Sequence, residues 1–246
     1  MRSSIQQTVI IPAYNEALLL PRLLDTIDVA RARYAAGLET IEVILANNAS
    51  TDRTADIAAA RGCRVVNIAP RVIAAVRNGG AAAATGSILA FVDAVMQVHP
   101  ETFNAIDVAL MDPAIIGGAT GIVPERWSVG IATVFGVLKS YAALSKIDAG
   151  VTFCRRQAFQ DMGGYDERRS FAEDLDFLLR LKRLGRSRGQ RLAQVHAAKA
   201  VFSMRKFDRY GDWHWLTKMA PLAASVVRRP HARGDVVRQY WYEGRE

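Results

Sequence analysis

Residues 8–16 read Thr-Val-Ile-Ile-Pro-Ala-Tyr-Asn-Glu, a short apolar run that passes directly into a polar turn. Residues 41–46, Ile-Glu-Val-Ile-Leu-Ala, repeat this pattern and lead into Asn-Asn-Ala-Ser-Thr-Asp at 47–52. A third run, Ile-Leu-Ala-Phe-Val at 88–92, stops at Asp93. Apolar runs of this length, bounded by turn residues, indicate buried strands of a parallel sheet.

Helical patterns separate these runs along the chain. Apolar residues recur at helical spacing between residues 20 and 34, and two further helices are predicted over 54–60 and 73–85, the latter ended by Gly86. Another strand is predicted over 64–68. Strands that alternate with helices form a mostly parallel sheet flanked by helices, so the sequence predicts an α/β fold.

The pattern is less regular after Asp93. Helices are predicted over residues 100–111, 127–146 and 173–184, the last ended by Gly185, and strands over 115–123, 150–153 and 193–203. The predicted helix 127–146 is apolar, but its two lysines, Lys139 and Lys146, argue against insertion into a membrane.

The composition excludes several classes of protein. Half of the 246 residues are hydrophobic, which excludes an intrinsically disordered chain and allows a full core. Two cysteines, Cys63 and Cys154, are too few for a disulfide scaffold. Residues 1–7 lack the apolar segment of a secretory signal, and the longest run without a charge, 78–92, is too short to span a membrane. We therefore expect a cytoplasmic protein.

The net charge of +8 is concentrated at the end of the chain. From residue 180 onward there are 16 basic and five acidic residues, a net charge of +11, while residues 1–179 carry −3. This asymmetry favours an anionic partner, either a phosphate-bearing substrate or a lipid surface, although a solvated basic face is the simpler alternative. No nucleic-acid-binding motif accompanies the charge, so nucleic acid is not expected as a partner.

Polar residues follow the predicted strands at their carboxyl ends, where open parallel sheets bind their ligands. The sequence lacks the G-x-G-x-x-G dinucleotide motif, a Walker A loop, zinc-ligand spacing and a G-x-S-x-G elbow. A nucleotidyltransferase is expected to carry a Gly-rich phosphate loop after the first strand, and residues 12–16 do not form one. These absences argue against a dinucleotide-binding protein, a P-loop enzyme, a zinc protein, a serine hydrolase and a nucleotidyltransferase.

Five segments together resemble the motifs of the family 2 glycosyltransferases. They are residues 9–16, 47–54, 77–93, the Gly-Gly-Tyr-Asp-Glu segment at 163–167, and Glu-Asp-Leu-Asp at 173–176. Their order along the chain is that of the family, and this order makes the resemblance specific.

The resemblance implies a GT-A-type, Rossmann-like fold that transfers a sugar. Residues 1–95 would bind a nucleotide-sugar donor, most simply a UDP-sugar, and residues 96–206 would bind a saccharide or lipid-linked acceptor. The basic extension 207–246, with its tryptophans and arginines, is expected to be a helical tail. This tail either makes peripheral contact with the inner face of a membrane, or wraps the domain, or forms a dimer contact.

The resemblance also implies a donor site. Asn47 stands where many relatives carry an aspartate that reads the base, and an asparagine can still donate and accept hydrogen bonds there. A guanidinium matches phosphate oxygens bidentately, so the arginines are candidates for the diphosphate. The residues expected at the donor are Pro12, Tyr14, Glu16, Asn47, Asp52, Arg71, Arg77, Asp93 and Arg205.

Three of these residues have simpler roles as alternatives. Packing is the alternative role for Tyr14, capping of the following helix for Asp52, and a solvated surface position for Arg71.

An acidic pair, Glu173 and Asp174, begins the amphipathic helix predicted over 173–184. The helix dipole favours ionised carboxylates at such an N-terminus. By the resemblance, Asp174 is the general base that takes the proton of the acceptor hydroxyl, with inversion at the anomeric carbon, and Glu173 is the second candidate. The alternative is that the pair only satisfies the helix terminus.

The sequence departs from the family at Asp93-Ala94-Val95. The family usually carries a second aspartate at the position of Val95, and a valine offers no oxygen to a cation. A divalent cation, Mn²⁺ or Mg²⁺, would rest on Asp93, donor phosphates and water. Three hypotheses stay open: a weak metal site at Asp93, a metal-independent enzyme that uses arginines, and a chain that binds the donor without turning it over.

Overall fold

The computed structural model describes residues 5–169 and 172–219, and its first half alternates strands with helices. The strands are β1 (Gln7–Ala13), β2 (Ile41–Asn47), β3 (Arg64–Asn67) and β4 (Ile88–Phe91), and the helices are α1 (Leu20–Ala32), α2 (Thr54–Ala60) and α3 (Ile73–Ala83). A short 3-10 turn, Leu38–Thr40, precedes β2. The predicted strands and helices of this half are all present, with ends that differ by a few residues.

The second half contributes six more strands and five more helices among the described residues. The strands are β5 (Met96–Gln97), β6 (Ile115–Ala119), β7 (Ile122–Pro124), β8 (Thr152–Arg155), β9 (Arg191–Gln194) and β10 (Ala200–Phe202). The helices are α4 (Thr102–Met111), α5 (Val129–Ser145), α6 (Arg156–Asp161), α7 (Glu173–Ser187) and α8 (Arg205–Tyr210), with a 3-10 turn at His196–Ala198 and a π-helical turn at Trp215–Met219.

The main sheet has seven strands in the order β3-β2-β1-β4-β8-β6-β9. The pairs β3/β2, β2/β1, β1/β4 and β6/β9 are parallel, and β8 runs antiparallel to both of its neighbours. The predicted α/β fold with a mostly parallel sheet flanked by helices is confirmed. Because six strands share one direction, their carboxyl ends meet at one edge of the sheet.

Hydrophobic clusters cover the two faces of the sheet, as strand alternation requires. Val9 and Ile11 of β1 pack on the side of α1, while Ile10 packs on the side of α3. A Cβ atom at Gly80 of α3 would lie 2.5 Å from Ile10 Cγ2, so the missing side chain lets α3 approach β1 closely. This close approach fixes Arg77, one helical turn earlier, near the end of β1.

Two predicted strands are wrong, because each is divided between two sheets. Residues 115–123 form β6 and β7, and Gly121 (φ +80°) turns the chain between them. Residues 193–203 likewise form β9 and β10. β5, β10 and β7 make a separate three-stranded sheet, which sequence periodicity alone does not distinguish from a continuous strand.

Two predicted helix ends are also wrong. α3 ends at Ala83, before Gly86, whose absent side chain instead allows contact with the backbone of β1. α7 continues through Gly185 to Ser187. A Cβ atom at Gly185 would lie 3.1 Å from both Gln190 O and Ile116 Cγ2, so the absent side chain lets these neighbours pack closely against the helix. Close packing, rather than helix termination, therefore explains both glycines.

Part of the predicted basic tail over 207–246 lies outside the described residues. Within the described part, α8 and the π-helical turn pack against α5 through a cluster that includes Phe207, Ile131 and Trp215. Tyr240 and Trp241, which contribute to the predicted membrane contact, lie beyond the description. In the portion of the chain that is described, no helix combines the length and the apolar character needed to cross a bilayer.

Candidate active site

A cavity of about 340 Å³ opens at the carboxyl edge of the main sheet. Its wall is built from the ends of β1 and β4, from α3, α5 and α8, and from the N-terminus of α7. Of the residues predicted from sequence, it brings together Pro12, Tyr14, Glu16, Arg71, Arg77, Asp93, Glu173, Asp174 and Arg205.

Three carboxylates converge on the guanidinium of Arg77. Arg77 Nη2 lies 2.6 Å from Asp93 Oδ1, and Arg77 Nη1 lies 2.7 Å from both Glu173 Oε1 and Asp174 Oδ1. Arg77 and Glu173 are buried, whereas Asp174 keeps 42% of its side chain exposed toward the cavity. One buried cation thus joins α3, the end of β4 and the start of α7.

This cluster is costly to the fold, which makes it a candidate functional site. Burial alone would lower the pKa of Arg77, but Asp174 and Asp93 outweigh it and hold the pKa well above its ordinary value. Three carboxylates face one guanidinium, so the cluster carries excess negative charge when all groups are ionised. A structural ion pair does not need this excess.

The pKa of the Asp174 carboxyl is shifted as well. Desolvation by the surrounding protein raises its pKa, Glu173 and Asp93 raise it further, and Arg77 opposes them, with a result of about 7. The helix dipole, expected from sequence to keep this group ionised, is therefore outweighed. A carboxyl with a pKa near neutrality is suited to take up a proton during catalysis.

Local backbone geometry aims the acidic pair at the cavity. Ala172 precedes α7 with φ +54°, a left-handed conformation that costs a non-glycine residue about 1–2 kcal/mol. The strained residue itself lines the cavity. Such strain persists where the surrounding structure imposes it, which is common at functional sites.

The motif at 163–167 packs against the Arg77 cluster through Tyr165. The Tyr165 ring stacks on Phe177 at a centroid distance of 4.2 Å and lies 5.3 Å from the Arg77 guanidinium carbon. Asn78 accepts a hydrogen bond from Tyr165 N at 2.8 Å and donates one to Tyr165 O at 3.0 Å. Gly164 has φ +68°, and a Cβ atom there would lie 2.6 Å from Asn78 Oδ1. The motif at 163–167 and the motif that contains Asn78 are therefore in direct contact, although they are distant in sequence.

A second ion pair also lies in the lining of the cavity. Arg205 of α8 binds the buried carboxylate of Glu16 in a bidentate manner, with N–O distances of 2.9 and 3.0 Å. Beside it, the exposed Arg71 places its guanidinium carbon 5.0 Å from the centroid of the Tyr14 ring. The cavity therefore has one end lined by cationic and aromatic groups.

Two residues predicted for the donor site, Asn47 and Asp52, do not line the cavity. Asn47 donates to Asn67 Oδ1 at 2.8 Å and accepts from Ser50 N at 3.2 Å, and its neighbour Asn48 lines the cavity instead. The two asparagines at the end of β2 indicated that a polar side chain lies here, but the sequence pattern did not show which of the two side chains faces the cavity.

Asp52 is the other residue away from the wall, and it accepts hydrogen bonds from Thr54 N and Ala17 N. Burial would raise the pKa of Asp52, but hydrogen bonds from Thr54 and Ala17 together lower it. The capping alternative fits these contacts, because the carboxylate satisfies the first turn of α2.

Sequence reasoning missed the apolar part of the cavity. Its lining includes Ile122, Leu138, Phe202, Phe207 and Trp215. Apolar residues gave no functional signal in the sequence, since they also satisfy the requirements of a core.

The residues near Asp93 do not fit the usual divalent-cation site. Val95 lines the cavity without an oxygen to offer, and Asp93 Oδ1 already accepts from Arg77. Across the described ranges, no group of three or more His, Cys, Asp or Glu side chains is placed to hold a metal ion. No step is therefore assigned to a metal.

Fold and site together define an α/β protein with a ligand cavity at the carboxyl edge of its sheet. The family model of Glycosyl transferase family 2 matches residues 8–132, and the chain belongs to this family.

Two curated relatives are named validoxylamine A glucosyltransferase. The protein from Streptomyces hygroscopicus subsp. jinggangensis is 35% identical over an alignment of 130 residues, and this alignment covers 48% of this chain and 30% of the relative. The protein from S. hygroscopicus subsp. limoneus is 33% identical over the same length, covering 28% of that relative. The chain therefore matches less than a third of the length of each.

Solved structures share the fold at low sequence identity. S. aureus TarS in complex with UDP has a TM-score of 0.60 and 16% identity, over 80% of this chain and 60% of that one. Mannosyltransferase PcManGT from Pyrobaculum calidifontis, in complex with GDP-Man and Mn²⁺, has a TM-score of 0.62 and 22% identity, over 82% of this chain and 57% of that one. Glucosyl-3-phosphoglycerate synthase from Mycobacterium tuberculosis, in complex with Mn²⁺, UDP and glucosyl-3-phosphoglycerate, has a TM-score of 0.55 and 18% identity, over 80% of this chain and 70% of that one.

Proposed function

We propose that the protein transfers a sugar from a nucleotide-sugar to an acceptor hydroxyl with inversion at the anomeric carbon. The observation that carries this proposal is the Asp174 carboxyl, which faces the cavity on the Arg77 cluster with a pKa of about 7. Membership of Glycosyl transferase family 2 supports the reaction class.

In the proposed reaction, Asp174 takes the proton of the acceptor hydroxyl while the hydroxyl oxygen attacks the anomeric carbon. The bond between that carbon and the diphosphate oxygen breaks, and the nucleoside diphosphate leaves with the electron pair. The proton remains on Asp174 until solvent removes it. Attack from the face opposite the leaving group inverts the configuration.

Arginines would neutralise the leaving group in this proposal. Arg71 and Arg205 line the cavity together with Tyr14 and Glu16, and we call the part formed by these four residues the polar end. A guanidinium stabilises the charge that develops on the departing diphosphate. Arg77 is buried and held by three carboxylates, so we assign it to positioning Asp174 and Asp93. Arg205 also has a carboxylate partner, Glu16, but keeps 36% of its side chain exposed. Pro12, Tyr14, Glu16 and Asn48 would then surround the nucleoside.

We propose a UDP-sugar as the donor, with UDP-glucose as the first compound to test. One TarS structure was solved in complex with UDP and another with UDP-GlcNAc, and both curated relatives are named glucosyltransferases. GDP-mannose is the alternative donor, because PcManGT was solved with it.

The test combines UDP binding with turnover of UDP-glucose. Wild-type protein is expected to bind UDP and to release UDP from UDP-glucose. Asp174→Asn should lose about 10²- to 10⁴-fold in turnover, the contribution of a general base, while UDP affinity stays within about threefold. Undiminished turnover in Asp174→Asn would overturn the role of Asp174 as the base, and no UDP binding by the wild type would overturn the choice of a UDP-sugar as donor.

A non-catalytic nucleotide-sugar binder is the second candidate function, and Val95 is the observation that favours it. Val95→Asp restores the family's usual carboxylate. Turnover that appears only in this variant supports the binder, whereas turnover in the wild type excludes it.

We also propose that residues 1–95 serve the donor, residues 96–206 the acceptor, and residues 207–246 a membrane surface on the cytoplasmic side. Residues 207–246 carry seven basic and five acidic residues, a net charge of +2, so the tryptophans and arginines of this segment, rather than its net charge, support the last assignment. Co-sedimentation with anionic but not with neutral lipid vesicles tests it.

A further inference from the structure

One side of the cavity is apolar and continuous. Ile122, Leu138, Phe202, Phe207 and Trp215 belong to one hydrophobic cluster and also line the cavity, and we call these five residues the apolar wall. Phe207 is buried, and the other four are partly exposed.

Val95 extends the apolar wall toward the polar end. Ser203 N donates to Val95 O at 3.3 Å, and Phe202 pairs with Met96 in the small sheet. The position where the family usually has a carboxylate is therefore in register with the strand that carries Phe202. A sugar hydroxyl set against this wall would lose its hydrogen bonds to water without replacement, which costs free energy.

Helix α5 provides an apolar path from the cavity to the surface. Leu138 lines the cavity, and Tyr141 and Leu144 follow at three-residue spacing with 43% and 88% exposure. Residues at this spacing are neighbours on a helix. α5 has no acidic residue, and Lys139 is exposed on it, so the path suits an apolar chain with an anionic surrounding such as a lipid surface.

From these observations we propose that the acceptor is an amphipathic molecule with a single apolar chain, presented from a lipid surface. Its hydroxyl-bearing head would lie at Asp174, and its chain would lie along the apolar wall and leave over Leu138, Tyr141 and Leu144. This inference rests on the proposed function and narrows the acceptor class.

The test measures how chain length affects binding of simple amphiphiles. Butyl and octyl β-glucoside, each below its micelle concentration, are titrated into the protein with and without saturating UDP. Burial of one methylene strengthens binding by up to about fourfold, so four extra methylenes are expected to strengthen it at least tenfold. Equal affinity for the two glucosides would overturn the inference.

Matched variants on α5 separate the cavity from the outer surface. Leu138→Asn should remove most of the chain-length effect, while Val137→Asn, at an adjacent and 50% exposed position, should keep it. Ile122→Thr, a smaller change in the same wall, replaces Leu138→Asn if that variant does not fold. Equal loss in the cavity variant and in Val137→Asn would indicate non-specific surface binding and overturn the inference.

UDP titration distinguishes failure of this inference from failure of the proposed function. A protein that binds UDP but shows no chain-length effect refutes only the amphipathic acceptor. A protein that fails to bind UDP refutes the donor assignment, whatever the glucosides show.

Discussion

Arg77 Nη1 lies 2.7 Å from Asp174 Oδ1, so an arginine of helix α3 directly holds the candidate base at the start of α7. The same guanidinium also binds Asp93 beyond the end of β4. The proposed donor half, residues 1–95, and the proposed acceptor half, residues 96–206, would therefore share one ion cluster, and a change at Arg77 should affect stability and chemistry together.

Removal of the Arg77 charge should destabilise the protein strongly. Arg77→Met leaves three carboxylates close together without a cation, and breaking a buried ion pair in this way costs about 3–5 kcal/mol. Urea denaturation measures the free energy of unfolding. Arg61→Met is the control, since Arg61 pairs with Asp25 and Asp28 at the surface and should cost below about 1 kcal/mol. Equal losses in the two variants would contradict the buried-cluster account.

The rate of transfer should depend on pH through Asp174. A general base acts only when it is ionised, and the pKa of this carboxyl is raised to about 7. kcat/KM should therefore fall tenfold for each pH unit below about 7 and level off above it. UDP affinity, measured over the same pH range, separates loss of the base from loss of the donor. A rate that stays constant between pH 5 and pH 8, when chemistry is rate-limiting, would contradict the assignment.

Divalent cations should have little effect on donor binding. Val95 supplies no ligand and Asp93 is held by Arg77, so UDP affinity in Mn²⁺ and in EDTA should differ by less than about twofold. Val95→Asp is the positive control, because the added carboxylate gives the cation a second protein ligand. Calorimetric titration measures both proteins, and a tenfold gain with Mn²⁺ in the wild type would show that a metal site exists.

Loss of Arg205 should weaken UDP binding. Arg205→Gln removes a guanidinium from the polar end of the cavity and leaves the buried Glu16 carboxylate without its bidentate partner. Hydrogen bonds to charged groups contribute about 1.5–3 kcal/mol, so UDP affinity should fall at least tenfold. Arg209→Gln, an exposed position on the same helix α8, should leave it unchanged. Equal affinity in wild type and Arg205→Gln would remove Arg205 from the donor site.

The first half of the fold could be predicted because each strand there is a single apolar run that ends in polar residues. The second half was harder, since residues 115–123 and 193–203 each cross between two sheets at a turn. Local periodicity reports that a residue is extended, but not which neighbouring strand it pairs with.

The polar part of the cavity could also be predicted in outline. The sequence indicated which strand ends carry polar groups, but Asn47 and Asn48 differ only in the direction of their side chains, which depends on register. The raised pKa of Asp174 and the apolar wall arise from contacts between distant segments. Neither has a local signature in the sequence.

The most direct test of inverting transfer through Asp174 is the configuration of the sugar released from UDP-glucose. Water can replace the acceptor in a slow hydrolysis, and proton NMR identifies the anomer before mutarotation. Since the glucosyl bond of the donor is α, we predict that β-glucose appears first with the wild type and that Asp174→Asn releases it at least about 10²-fold more slowly. Initial release of α-glucose, or undiminished release by Asp174→Asn, would contradict the account.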